Sequence, residues 1–116
     1  MTGTNGGGRE IDAMVAEKVM GLKSRFIPDT NWAVFQVDGW TERLVLDYST
    51  NITDAFQVVE KMRERGYYFA LIQHVGGTWG CEFTDKGYEL KGKVEDEKTA
   101  PEAICRAALA ACKEKP

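Results

Sequence analysis

A chain of 116 residues with 43% hydrophobic and 28% charged side chains has the make-up of one soluble globular domain with a single modest core. Its net charge of −3 and pI near 5.2 weigh against broad electrostatic attraction to nucleic acid or an anionic membrane, although fifteen Lys and Arg leave room for a local basic patch. No apolar run approaches the ~20 residues that a membrane span requires.

Met1 to Gly8 is rich in Gly and Thr and lacks the apolar centre of a secretory signal, so residues 1–8 are expected to form a flexible tail and residues 9–116 one domain. A first helix is predicted from about Arg9 to Met20, with Ile11, Met14, Val15, Val19 and Leu22 on its apolar side. Gly21 ends it, because glycine enters the left-handed region cheaply. Lys23 to Thr30, which contains Pro28, reads as a loop. Two short strands, Trp32 to Val37 and Arg43 to Leu46, flank an Asp38-Gly39 pair suited to a hairpin turn.

The clearest punctuation lies between Asp47 and Val94. Asn51 is placed to cap a helix whose Ile52, Ala55, Phe56, Val59 and Met62 recur at the spacing of one buried stripe, and Gly66 stops it. Strand periodicity follows, over Tyr67 to Val75, Thr78 to Thr84 and Tyr88 to Val94, with Gly76-Gly77 and Asp85-Lys86-Gly87 as the turns. The first of these is apolar at nearly every position and is predicted to be the central strand, covered on both sides. The other two alternate, with Trp79, Cys81 and Phe83, and then Tyr88, Leu90 and Val94, on the buried face. Gly80 and Gly92 mark places where another element packs close to the sheet. Thr99-Ala100-Pro101-Glu102 announces a last helix through a capping box, and its stripe of Ile104, Cys105, Ala108, Leu109 and Cys112 is small enough to lie close to a neighbour. The expected fold is therefore α+β, an antiparallel β-sheet sandwiched between α-helices in the order α-β-β-α-β-β-β-α.

Three segments in the right order resemble a family of short bacteriophage and prophage proteins, the phage ABA sandwich domain. They are Gly8 to Gly21 (GREIDAMVAEKVMG), Tyr48-Ser49-Thr50 ahead of the helix ending Val58-Val59-Glu60-Lys61-Met62, and Thr99 to Leu109 (TAPEAICRAAL). Lys23 to Leu46 does not follow the pattern and reads as an insert. The resemblance implies an α/β/α layered fold and a phage or prophage origin, and with it the cytoplasm of a bacterial host. It supplies no catalytic residues to carry over.

The residues themselves favour binding over chemistry. Three cysteines, an odd number, read as reduced thiols. Cys105 and Cys112 stand two helical turns apart, about 10 Å, which is too far for a disulfide. His74 with Cys81, Cys105 and Cys112 lacks the spacing of a zinc site, so no metal or other cofactor is expected. Ser24 and Ser49 sit in no nucleophile motif, and carboxylates such as Glu82 and Glu89 read as solvated sheet charges; the protein is expected not to be an enzyme. Gly6-Gly7-Gly8-Arg9 lacks the strand that precedes a phosphate-binding loop. The helix-strand-strand-strand-helix order from Asn51 to Lys113 matches a double-stranded-RNA-binding module, but Glu95-Asp96-Glu97-Lys98 and Glu102 bring the wrong charge to its phosphate-contacting end.

What remains is the insert and its flank, where Trp32, Phe35, Trp40, Arg43 and, just beyond it, Tyr48 combine rings that can stack on a planar base with a nearby cation. The competing reading is that these rings close the core beside the strands. With His74 added, they form the candidate ligand site of a phage-encoded, non-enzymatic protein. Such a protein would sequester a small host signalling nucleotide of an antiviral defence as a homo-oligomer. The alternative is an accessory protein that inhibits or adapts a host or phage protein, and a module similar to double-stranded-RNA binders is a minor third.

Overall fold

The computed structural model describes residues 3–27, 32–37, 39 and 41–113, the side chains of 3–8, 26, 32 and 113 excepted. In chain order the elements are α1 (Gly3–Lys18), β1 (Ser24–Ile27), β2 (Trp32–Gln36), β3 (Glu42–Leu44), α2 (Ile52–Glu64), β4 (Tyr68–Gln73), β5 (Trp79–Thr84), β6 (Leu90–Glu97) and α3 (Ala100–Lys113). The α+β class follows the sequence reading, with one strand more and the strands divided between two antiparallel sheets, β1-β2-β3 and β4-β5-β6. Helix α1 packs on β1 and β2 and also on α3, while α3 packs on β5 and β6 and α2 on α3 and β4. The helices thus lie between the two sheets. Among the described residues no helix is long and apolar enough to cross a membrane.

The burial of each helix reflects this placement. In α1, Ile11, Ala13, Val15 and Ala16, with Val19 just beyond its end, are buried together with Asp12, a band wider than a one-sided amphipathic stripe. The helix begins at Gly3, ahead of the Arg9 start read from a glycine-rich composition that disfavours helix. Gly21 takes φ +79° as expected, and the following Leu22 N–H reaches back to the Ala16 carbonyl at 2.8 Å. In α2, Asn51 accepts a hydrogen bond from the Asp54 N–H at 3.0 Å, the N-cap that the sequence announces. Its buried residues are Ala55, Val58, Val59 and Met62, so the stripe is rotated from the predicted one and leaves Ile52 and Phe56 partly in solvent. Helix α3 buries Ala103, Ile104, Cys105, Ala107, Ala108 and Ala111, because sheet lies on one side of it and helix on the other. Thr99 accepts from the Glu102 N–H at 3.3 Å, and the Glu102 carboxylate pairs with Arg106 at 3.0 Å.

Three strand expectations need correction. Lys23 to Thr30 is not all loop, since Ser24–Ile27 pairs with β2 in the register Ser24 to Phe35 through Ile27 to Trp32; four residues without alternation carry no local strand signal, and the neighbour supplies the order. The run Tyr67 to Val75 is not the central strand. β4 is an edge, β5 is the centre, and Tyr68 and Ile72 are exposed. Tyr88 does not face the core: it occupies the turn at φ +65° and is solvent-exposed, and Leu90 is also largely exposed.

On β6 the buried position is Gly92, with Val94 partly buried against the core as expected. A methyl group built on Gly92 would overlap the Ala107 carbonyl oxygen and stand 2.6 Å from the Ala111 backbone nitrogen. The glycine and the small α3 residues opposite it therefore allow helix and sheet to meet backbone to backbone. Across the sheet from it, Phe83 and Cys81 are completely buried, and burial pushes the Cys81 thiol up to about 12, which leaves it a packing residue.

Candidate functional site

Of the six residues singled out in the sequence, the described ones do not converge on one site. Phe35 and Arg43 stand directly opposite each other on β2 and β3; Phe35 packs against the core and Arg43 is exposed. Tyr48 is only 3% exposed. Burial raises its phenol above the usual range, with the negative charges of Asp54 and Asp12 and the Cys105 thiol adding to the effect. The ring closes the core and offers no face to a ligand, as the competing reading held. His74 follows β4 in the other sheet; its Nε2 is buried with no hydrogen-bond partner among the described residues, and a methyl on Gly80 would come within 3.1 Å of it. Trp40 and the side chain of Trp32 lie outside the described residues.

The first sheet is tied to α1 at two points. At one end the Arg9 guanidinium donates to Asp12 at 2.7 Å, Asp47 at 2.6 Å and the Val45 carbonyl at 3.0 Å. Asp12, completely buried, accepts in turn from the Ser49 N–H at 2.8 Å. This carboxylate holds the helix to the segment between β3 and α2. At the other end the Ser24 hydroxyl donates to the Ala13 carbonyl at 2.7 Å. None of the ion-pair network was legible in the sequence, where Arg9 and Asp12 look like ordinary helix-surface charges.

Burial raises the Asp12 carboxyl above its ordinary 3.8, against the lowering effect of hydrogen bonds from Ser49 and the charge and hydrogen bond of Arg9. The folded state therefore holds the Asp12 proton more tightly than the unfolded chain. Its contribution is fully present below about pH 4 and is lost as pH rises through the raised value. We expect Asp12→Asn, which keeps an acceptor for the Ser49 N–H, to flatten that part of the stability profile. Urea midpoints from pH 3.5 to 7 measure it; an unchanged slope in the variant would assign the effect to other carboxyls.

Beside the second tie, where α1 turns into β1, two adjoining concavities of about 500 Å³ and 440 Å³ share Leu22, Lys23 and Gln36 as lining residues. Val37 and Gly39 extend one end; Glu17, Arg25 and Glu42 extend the other. Arg25 is neutralised by Glu42 at 3.1 Å, whereas the Lys23 ammonium makes no ion pair among the described residues. The groove thus offers a cation and an amide near apolar walls at one end and carboxylates at the other. Sequence reasoning missed Lys23 and Gln36 because only the pairing of β1 with β2 brings them together: the Gln36 N–H donates to the Lys23 carbonyl at 2.9 Å. Among the described residues no group of three His, Cys, Asp or Glu could hold a metal ion.

The model of the phage ABA sandwich domain family matches residues 13–109. The chain is also similar to a phage protein from Bacillus cereus ATCC 14579 known from a crystal structure, with 29% identity, a TM-score of 0.70 and 90% of each chain covered. No curated protein matches.

Proposed function

The chain belongs to the phage ABA sandwich domain family, and from that premise we propose that it is a non-enzymatic binding protein that captures a small nucleotide in the groove around Leu22, Lys23 and Gln36. The observation that carries this reading is the groove's two-ended chemistry. Lys23 suits a phosphate, the Gln36 amide can both donate to and accept from a base edge, and Glu17 and Glu42 can accept from ribose hydroxyls or an exocyclic amine. The concavity near Lys23, about 500 Å³, falls within the ~300–1,000 Å³ of small-ligand sites. The Ser24 hydroxyl in the groove's lining is engaged on the Ala13 carbonyl, and the mechanism on this reading is sequestration in the host cytoplasm, where affinity and protein concentration set the effect.

Thermal unfolding with a panel of linear and cyclic nucleotides tests this. A ligand present at 100 times its Kd should add about 2.7 kcal/mol, and mass spectrometry should recover it unchanged. Lys23→Glu, at an exposed position, should weaken that ligand at least tenfold while leaving the unliganded melt in place. No shift with any nucleotide, or an equal shift in the variant, would remove the assignment.

A further inference from the structure

We propose that the protein self-associates through β4, two copies pairing antiparallel so that the second sheet runs on as six strands across a two-fold axis. The inference starts from the different treatment of the sheet's two edges. β6 carries Lys91, Lys93, Glu95, Asp96 and Glu97, has Asp96 at φ +63°, and shifts register twice against β5. These are the devices that keep an edge strand from pairing further. β4, Tyr-Phe-Ala-Leu-Ile-Gln, has no charge and no proline, and its register with β5 is unbroken.

Exposed apolar side chains gather along the same edge in both layers. On the outer face stand Tyr68 and Ile72, Tyr68 stacked on the exposed Tyr88 with centroids 6.3 Å apart. On the helical side, Phe56 meets Phe69 edge to face at 6.2 Å, and both it and Ile52 are over two-fifths exposed, at 42% and 43%. Opposite residues of an antiparallel pair share a face, so a symmetric register centred on Ala70 sets Tyr68 against Ile72 and Phe69 against Leu71. No like charges meet, and the small alanine lies at the axis. Ile52 and Phe56 of each copy then lie beside the inner face of the other's β4. A strand that is neutral, apolar and complementary to itself fits a second copy of this chain.

Light scattering after size exclusion should show a dimer whose fraction rises with concentration, and hydrogen exchange should show β4 amides more protected at high than at low concentration. Ala70→Lys places two ammonium groups together at the axis and should give a monomer. Ile72→Lys, at an exposed site, should do the same with an unchanged circular dichroism spectrum. A monomer at all concentrations, or a dimer indifferent to both lysines, overturns the proposal; in the first case the edge is left to a strand of some other chain. Nucleotide binding at Lys23 does not depend on the outcome.

Discussion

Gly92→Ala should destabilise the protein by about 3 kcal/mol, at the upper end of overpacking substitutions. For a chain of this size that is roughly a 10–15 °C loss in Tm. The added methyl meets main chain, the Ala107 carbonyl and the Ala111 nitrogen, and main chain inside a helix cannot turn aside as a flexible side chain can. α3 would have to lift from β6 and so also from Phe83 and Cys81, which lie buried in the same core. The comparison that isolates this cause is a glycine series. Gly80→Ala meets the His74 ring and the Val94 carbonyl, each at 3.1 Å, and should cost less; Gly76→Ala meets nothing within 4 Å and should be close to neutral. Urea unfolding of the three variants checks the order. A Gly92→Ala protein as stable as Gly76→Ala would mean that α3 and β6 are not in backbone contact.

The second large effect concerns the tie at the other side of the helical layer. Asp12→Ala should cost about 3–5 kcal/mol, the range for breaking a buried ion pair by removing one partner. The loss arises from what is left behind: the Ser49 N–H loses its Asp12 acceptor, and among the described residues Arg9 keeps only the exposed Asp47 as a carboxylate partner. Because burial outweighs the attraction in setting the Asp12 proton affinity, the pair as a whole is no large net source of stability. The double variant Arg9→Met with Asp12→Ala should therefore lose less than the sum of the single changes. A coupling of roughly 1–3 kcal/mol is expected, and strictly additive losses would show that the two side chains act separately.

These two positions differ in how far the sequence exposes them. Gly92 was legible, because a glycine inside an alternating strand leaves few readings other than close approach. The Asn51 and Thr99 caps were legible for the same kind of reason: each is a bond between residues three apart. Asp12 was not, since its partner Ser49, and Asp47, which shares Arg9 with it, are separated from it by the whole first sheet. β1 escaped notice because its order comes from β2, and the uninterrupted apolar run of β4 reads alike whether a strand is central or is an edge with an apolar face.

The candidate site shows the same division. Aromatic residues of the insert drew the sequence reading, yet Tyr48 is spent on the core and His74 belongs to the other sheet. Among the described candidates, Phe35 and Arg43 are brought together. The groove depends instead on Gly21, which turns the chain so that Leu22 and Lys23 come to lie beside Gln36 and Val37. A lysine followed by a short strand has no local mark of a ligand contact.

The most direct test is an amide chemical-shift titration of the labelled protein with the nucleotide that gives the largest thermal shift. Saturable changes centred on Leu22, Lys23, Gln36, Val37 and Gly39, absent in Lys23→Glu, are the predicted result. Saturable changes confined to other surfaces, or none at ligand concentrations that stabilise the fold, would contradict capture in this groove.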